Sequence, residues 1–326
     1  MIGLSMRHLR YFDALARSGH FGRAAEACAI SQPALSVQIR ELEDLIGAPL
    51  VERGGRTIRL TTLGNEFAER VRAILRSVDE LEDLARAAHG PLAGRLRLGI
   101  IPTVAPYLLP EVIATLTRRY PGLDPRPREA ITQRLIEDLL DARLDAAIVA
   151  LPVSEPALEE VPLFDEEFVL VRSLEDADRP VPSSDRLHEM RLLLLEEGHC
   201  FRDQALAVCN ISSSTPRDLM EGSSLSTLVQ MVSAGIGVTL IPEMAVSIEA
   251  RSAEISVARL AEPRPSRRIG MVWRKTNPLK QQFEKVAEIV REIGLARQIE
   301  ASMLRATADH AERLPSVPSE LAAASP

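Results

Sequence analysis

Apolar residues recur along this chain with two periods, and the change from one to the other divides it. From Arg7 to Arg17 the spacing is helical, with Leu9, Phe12, Leu15 and Ala16 on one face. Gly19 interrupts it, and Phe21 to Ala29 predicts a short second helix whose Ala24 and Ala25 let a neighbour pack closely. Ser31 is a suitable N-cap and Pro33 is tolerated in a first turn, so a third helix is predicted from there to about Ile46. In it Leu35, Ile39, Leu42 and Ile46 fall at intervals of 4, 3 and 4, which makes one buried face. At about 100° per residue, Pro33, Ser36, Val37 and Arg40 point the other way, and Gln32 stands at the amino end. Short polar groups and an arginine at the start of an anchored helix suit a reader of the DNA major groove, although an ordinary surface helix shows the same pattern.

Leu50 to Leu60 predicts a small hairpin, turning at Arg53-Gly54-Gly55-Arg56. Its arginines suit a wing resting on DNA phosphate; a solvated turn is the plain alternative. From Thr61 to about His89 a long helix carries Leu63, Phe67, Val71, Ile74, Val78, Leu81, Leu84 and Ala88 on one seam. At about 40 Å it outruns a small neighbour, which leaves a partner chain or the body of its own chain as cover. Gly90-Pro91 and Gly94 end it as a hinge.

Beyond Gly94 strands and helices alternate. Strands are predicted at 96–101, 124–130, 146–150, 169–172, 192–195, 238–241 and 269–273, with helices at 107–119, 132–142 and 278–295. Such alternation predicts parallel sheets covered by helices. The last residues, rich in Ala, Ser and Pro, predict a disordered tail, and no internal repeat is present.

Composition changes little in this picture. A chain of 326 residues, 46% hydrophobic and 26% charged, is an ordinary globular protein of two or three domains. No run reaches the roughly 18 apolar residues of a membrane helix, and no basic-then-apolar leader opens the chain, so a cytoplasmic protein without membrane contact is expected. The net charge of −7 argues against general coating of DNA. Residues 1–60, however, hold eight arginines against six acids, a balance of +2 that leaves −9 on the remainder. The cysteines are Cys28, Cys200 and Cys209, without a CxxC or a zinc-like His/Cys spacing, so neither metal nor cofactor is called for. Cys28 lies among alanines and reads as packing. Cys200 and Cys209 alone would read as buried packing residues too.

The segment FGRAAEACAISQPALSVQIRELEDLIGAPLVER and the LTTLG after it resemble the amino-terminal pattern of LysR-type transcriptional regulators. The resemblance runs to about residue 297. IPTVAPYLLP and EEGHCFRDQALAVC narrow it to the hydrogen-peroxide sensors of that family. It implies an α+β multidomain chain: a winged helix-turn-helix over residues 1–64, a linker and dimerisation helix with hinge over 65–94, and a two-lobed α/β effector domain like the periplasmic binding proteins over 95–297; residues 298–326 lie beyond the resemblance and are expected to form a disordered tail. It implies Gln32, Pro33 and Ser36 at the bases and Arg53 at the wing, beside the Arg40 and Arg56 already noted. It implies Cys200 as the peroxide-reactive thiol and Cys209 as its resolving partner, with Thr103, Thr132, His199, Asp203 and Arg267 around the sulfur. It implies as partners double-stranded promoter DNA, RNA polymerase, a homodimer or homotetramer, and cellular thiol reductants. The chain opens with a few residues beyond the family pattern, which leaves Met6 as an alternative start.

The thiolate is the species that attacks peroxide, and a helix amino end after Cys200, with His199 and Arg202 adjacent, favours negative charge there. Oxidation gives a sulfenic acid that a nearby thiol converts to a disulfide. Nine residues of helix hold two Cα atoms roughly 13 Å apart on opposite faces, whereas a disulfide needs about 7 Å. Bonding would therefore unwind the segment. Three rival readings remain. One is a metabolite receptor using Thr103, Thr132 and Ser223-Ser224. The others are a thiol peroxidase, for which a DNA-reading head has no use, and an envelope solute-binding protein, which the missing leader opposes.

Overall fold

A computed structural model describes residues 3–52, 58–88, 92–209, 220–251 and 253–312. The chain divides into two units, Met1–His89 and Gly90–Pro326.

In the first unit, α1 (Met6–Ser18), α2 (Phe21–Ala27) and α3 (Gln32–Ile46) enclose a core of Leu9, Phe12, Leu15, Ala24, Ala25, Leu35, Ile39 and Leu42. The buried face predicted for α3 is observed, with Ile46 only partly covered at its end. α2 stops two residues earlier than predicted, because Cys28 caps it and Ala29 takes a left-handed backbone, φ 54°. Ser31 Oγ accepts from the Ala34 N–H at 3.3 Å and opens α3, and Gly47 at φ 77° closes it. A short hairpin follows, β1 (Val51–Glu52) pairing antiparallel with β2 (Arg59–Leu60). Its start is anchored on α3, where the buried Glu43 carboxylate accepts from the N–H groups of Leu50 (2.9 Å) and Val51 (3.1 Å). The turn with Arg53 and Arg56 lies outside the described residues.

The long helix α4 (Thr62–Ala88) leaves this hairpin directly. Thr61 Oγ1 accepts from the Gly64 N–H at 2.9 Å and donates to the Pro49 carbonyl at 2.9 Å. Helix and hairpin come so close that a Cβ at Gly64 would stand 2.0 Å from the Leu50 carbonyl oxygen, so only glycine fits. Ala68 and Val71 are buried on the head, whereas Ile74 and Leu81 further along are exposed. The seam thus changes from internal packing to an open apolar row.

In the second unit the strands are β3 (Gly94–Ile100), β4 (Leu123–Glu129), β5 (Ala146–Leu151), β6 (Leu158–Ser173), β7 (Leu193–Leu195), β8 (Met220–Gly222), β9 (Thr239–Pro242), β10 (Ile255–Arg259) and β11 (Ser266–Arg274). The helices are α5 (Ala105–Arg119), α6 (Thr132–Leu140), α7 (Cys200–Val208), α8 (Leu225–Ser233), α9 (Val246–Glu249) and α10 (Lys280–Glu312). A curled sheet runs β10-β6-β11-β5-β3-β4, with β9 also on β6. The sixteen-residue β6 carries the two lobes: its first part pairs with β11, and its last residues pair with β9 and β10.

The sheets are mixed, not parallel as predicted. β3 is parallel to β4 and β5, and β7 to β8, but β11 runs antiparallel to both β5 and β6. The physical reason is the crossing between lobes. β5 leads into β6, and β10 into β11, without an intervening helix. The disordered tail expected over 298–326 is corrected in its first part, because α10 continues to Glu312; residues 313–326 lie outside the described residues. α10 packs Phe283, Val286, Val290 and Ile293 into the core. No helix among the described residues is long and apolar enough to cross a membrane.

The contact at Gly64 yields a test. Gly64→Ala in the full chain should destabilise the amino-terminal unit by about 1–3 kcal/mol, the usual range for overpacking. Thermal melting followed by circular dichroism would read it as a drop of several degrees, and an unchanged transition would show that the close approach is not required.

Candidate functional site

Cys200 is the first residue of α7, with His199 as its N-cap. It is half-buried, and both Cys200 and Cys209 are free thiols. The amino end of α7 faces the loops that follow β3 and β4. Together they line a recess of about 160 Å³, counted with its open mouth, between Ile101, Pro102 and Thr103, Ile131 and Thr132, and His199, Cys200 and Phe201. The carboxyl ends of parallel strands and the amino ends of helices meet here, the usual location of a site in α/β sheets.

Two hydroxyls in this recess differ in how they are satisfied. Thr103 Oγ1 accepts from Arg267 Nη1 at 2.8 Å, which does not use its own proton. Thr132 Oγ1 is buried and has no hydrogen-bond partner among the described residues. Arg267 comes from β11 and is itself buried. Its Nη2 donates to the Thr103 carbonyl at 3.1 Å, its Nε donates to Glu166 Oε2 at 2.8 Å, and its guanidinium lies 5.1 Å from the centre of the Phe201 ring. Glu166 is buried as well. Burial pushes its carboxyl up, Arg267 opposes that, and Oε1 accepts from the Met244 N–H at 3.4 Å.

The residues expected around the sulfur divide accordingly. Thr103, Thr132 and His199 line the recess, and Arg267 stands behind Thr103 and Phe201. Asp203 does not line it: one turn into α7, it is exposed. Arg202 is turned away too, with Nη1 on the Leu195 carbonyl at 2.8 Å and on Glu221 at 2.7 Å. Burial lowers the His199 pKa below its ordinary value, against the opposing pull of Glu196 and Glu129. Burial therefore disfavours the charged imidazolium there. Glu166 and Phe201 were not singled out in the sequence. The signal for Glu166 was available in principle, since a buried arginine demands a carboxylate.

Cys209 caps the other end of α7, its N–H bonded to the Ala205 carbonyl at 3.1 Å. It is fully buried, and burial pushes its thiol up to about 11. Cys28 packs partly buried against the core of the head, and burial raises its thiol as well. In the head, Gln32, Pro33 and Arg40 are exposed on α3, and Ser36 is half-exposed beside them.

A capped, outward-facing helix on a three-helix head, and a cysteine at a helix amino end between two lobes, define a DNA-binding regulator with a sensory domain. The chain belongs to the LysR family. Residues 6–65 match the bacterial regulatory helix-turn-helix proteins of the lysR family, and residues 89–294 match the LysR substrate binding domain. It is a transcription regulator and not an enzyme. It is 42% identical over 292 residues to a probable hydrogen peroxide-inducible genes activator of Streptomyces viridosporus, across 88% of this chain and 94% of that one. It is 41% identical over 292 residues to the DNA-binding transcriptional dual regulator OxyR of Escherichia coli K12, across 88% and 95%. A solved structure of a cysteine-to-serine variant of Corynebacterium glutamicum OxyR, with hydrogen peroxide bound, superposes with a TM-score of 0.63 at 34% identity, covering 94% of this chain and 96% of that one.

The burial of Cys209 sets a reactivity order. At about pH 8 a thiol titrating near 11 is ionised to only on the order of one part in a thousand. Iodoacetamide should therefore modify Cys200 at least about ten times faster than Cys209 in the native protein. Comparable rates by peptide mass spectrometry would contradict the assignment. Because Cys209 holds its proton above the ordinary value near 9, the unfolded chain ionises first. Its contribution to stability should be lost as pH rises from about 9 towards 11.

Proposed function

We propose that this LysR-family regulator activates transcription in response to hydrogen peroxide through a reversible disulfide between Cys200 and Cys209. The observation that carries the reading is their placement. One thiol opens α7 at the recess, and the other closes it, buried. An intact helix keeps their Cα atoms roughly 13 Å apart, and a disulfide tolerates about 7 Å.

The chemistry follows in two steps. The Cys200 thiolate attacks one peroxide oxygen, the O–O bond breaks, and the departing hydroxide takes a proton to become water. Peroxide is reduced by two electrons, and Cys200 becomes a sulfenic acid. Thr132 Oγ1 and the proton of the Thr103 hydroxyl are the groups available to hold the two oxygens. The Cys209 sulfur then attacks the sulfenic sulfur, the S–S bond forms, and the sulfenic oxygen leaves as water. Cys209 becomes nucleophilic only when α7 unwinds and brings it to water. A dithiol reductant of the cell returns both thiols by exchange. A reducing cytoplasm is the compartment that such free thiols need.

Side-chain use favours peroxide over a metabolite. Ser224, a candidate carboxylate ligand, is engaged as the N-cap of α8, accepting from the Thr227 N–H at 3.2 Å. The output is promoter DNA. Gln32, Pro33, Ser36 and Arg40 would meet the bases, and Arg53 and Arg56 the backbone beside them. RNA polymerase is the partner that an activator recruits. The exposed Ile74 and Leu81 on α4 suit a second copy of the chain, giving a homodimer or, with effector domains paired, a homotetramer.

Peroxide treatment of the full chain should link 200 to 209 in peptide mass spectra and remove hydrogen-exchange protection from residues 201–209. Cys200→Ser should abolish both effects and the transcriptional response. Free thiols alongside an intact response would sink the reading and favour the metabolite receptor. Separately, Arg40→Ala should weaken operator binding by about 1–3 kcal/mol, measured by fluorescence anisotropy at fixed salt.

A further inference from the structure

α3 places an apolar side chain where a soluble helix has no internal use for one. Leu35, Ile39 and Leu42 are at most 1% exposed, whereas Val37 is 49% exposed. At 100° per residue Val37 stands roughly 170° round the helix from that buried row, the point farthest from the core. A β-branched residue there lowers helix propensity and gains no burial in return.

The surroundings indicate what covers it. Residues 32–40 include no acid, and the acids of α3 begin at Glu41. Gln38 is drawn towards that end, its Nε2 donating to Glu41 Oε2 at 2.6 Å. Pro33 and Arg40 flank Val37 and are exposed, and Gln32 marks the amino end. The outward pole of the amino-terminal half is therefore two methyl groups framed by polar and cationic groups. In the major groove one base edge offers an apolar partner, the C5-methyl of thymine, and the remaining edges offer hydrogen-bond donors and acceptors.

We propose that Val37 is a specificity-determining residue that packs on the C5-methyl of a thymine in each half-site. The inference rests on the DNA-reading role given to α3 above. It adds an apolar contact to the polar ones. The thymine methyl is buried between Val37 and the neighbouring side chains, with the aliphatic stem of Arg40 on one side.

The test uses a duplex selected by the full-length wild-type protein from a randomised pool, with each thymine then replaced singly by deoxyuridine, which lacks only the methyl. Binding is measured with reductant and again after peroxide. At one thymine per half-site the replacement should weaken wild-type binding about four-fold, the equivalent of one methyl group withdrawn from burial. Val37→Ala should bind the thymine duplex about four-fold more weakly, with its melting temperature not lowered and its salt dependence unchanged, and should barely distinguish thymine from deoxyuridine at that position. Indifference of the wild type to deoxyuridine at every thymine overturns the proposal while leaving α3 as the reading helix. So does a variant that discriminates as well as the wild type. Failure to enrich any duplex overturns the reading role itself, and this contact with it.

Discussion

The effector domain is organised round one buried cation. The Arg267 and Glu166 side chains are each 1% exposed, so neither charge tolerates the loss of the other. Ion pairs of this kind seldom add net stability over apolar residues of similar size. Their geometry matters more here. Arg267 lies on β11, a strand of the curled sheet that joins the lobes, and from there it holds the Thr103 hydroxyl and carbonyl and lies against the Phe201 ring. Through the Met244 N–H, Glu166 ties the same strand pair to the start of the turn after β9. Both walls of the cysteine recess are thereby positioned by one guanidinium. The loop after β3 and the first turn of α7 have no independent way to drift.

α7 is suited to being given up. Nine residues are too few to form a stable helix in isolation, so tertiary contacts alone keep it coiled. Phe201, Ala205 and Leu206 supply them from the core side, and Arg202 clips the first turn to Leu195 and Glu221. Under the proposed disulfide, the opposing free energy would be that of one covalent S–S bond, available only to the uncoiled segment, and the two oxidation states would favour different conformations of it.

Sequence patterning conveyed much of this organisation, and the losses have identifiable causes. The period of Leu35, Ile39 and Leu42 described α3 because one face of that helix meets one core. β3 and β5 were legible as short apolar runs, whereas β4, with only Leu123 buried, was not. β6 was legible only over its last residues, because its first part, beginning Leu158-Glu159-Glu160, is broken by acids and Pro162 and reads as loop. The direction of β11 was not legible at all, since strand polarity depends on the connection and not on the strand. At the site, the adjacency of His199 and Arg202 to Cys200 in sequence suggested shared chemistry, and the family resemblance implied Asp203 there too. On a helix neighbours point about 100° apart, so Asp203 went to solvent and Arg202 to the next strand. The counter-ion Glu166, 101 residues from Arg267, was invisible to any local pattern.

The junction at Gly64 has a mechanical meaning. With no room for even a methyl group between α4 and the Leu50 carbonyl, and with Glu43 binding the same hairpin to α3, the reading helix and the first turns of the long helix form one solid piece. There is no joint between them in which a twist could be absorbed. A rotation of the first turns of α4 is therefore a rotation of α3 as well.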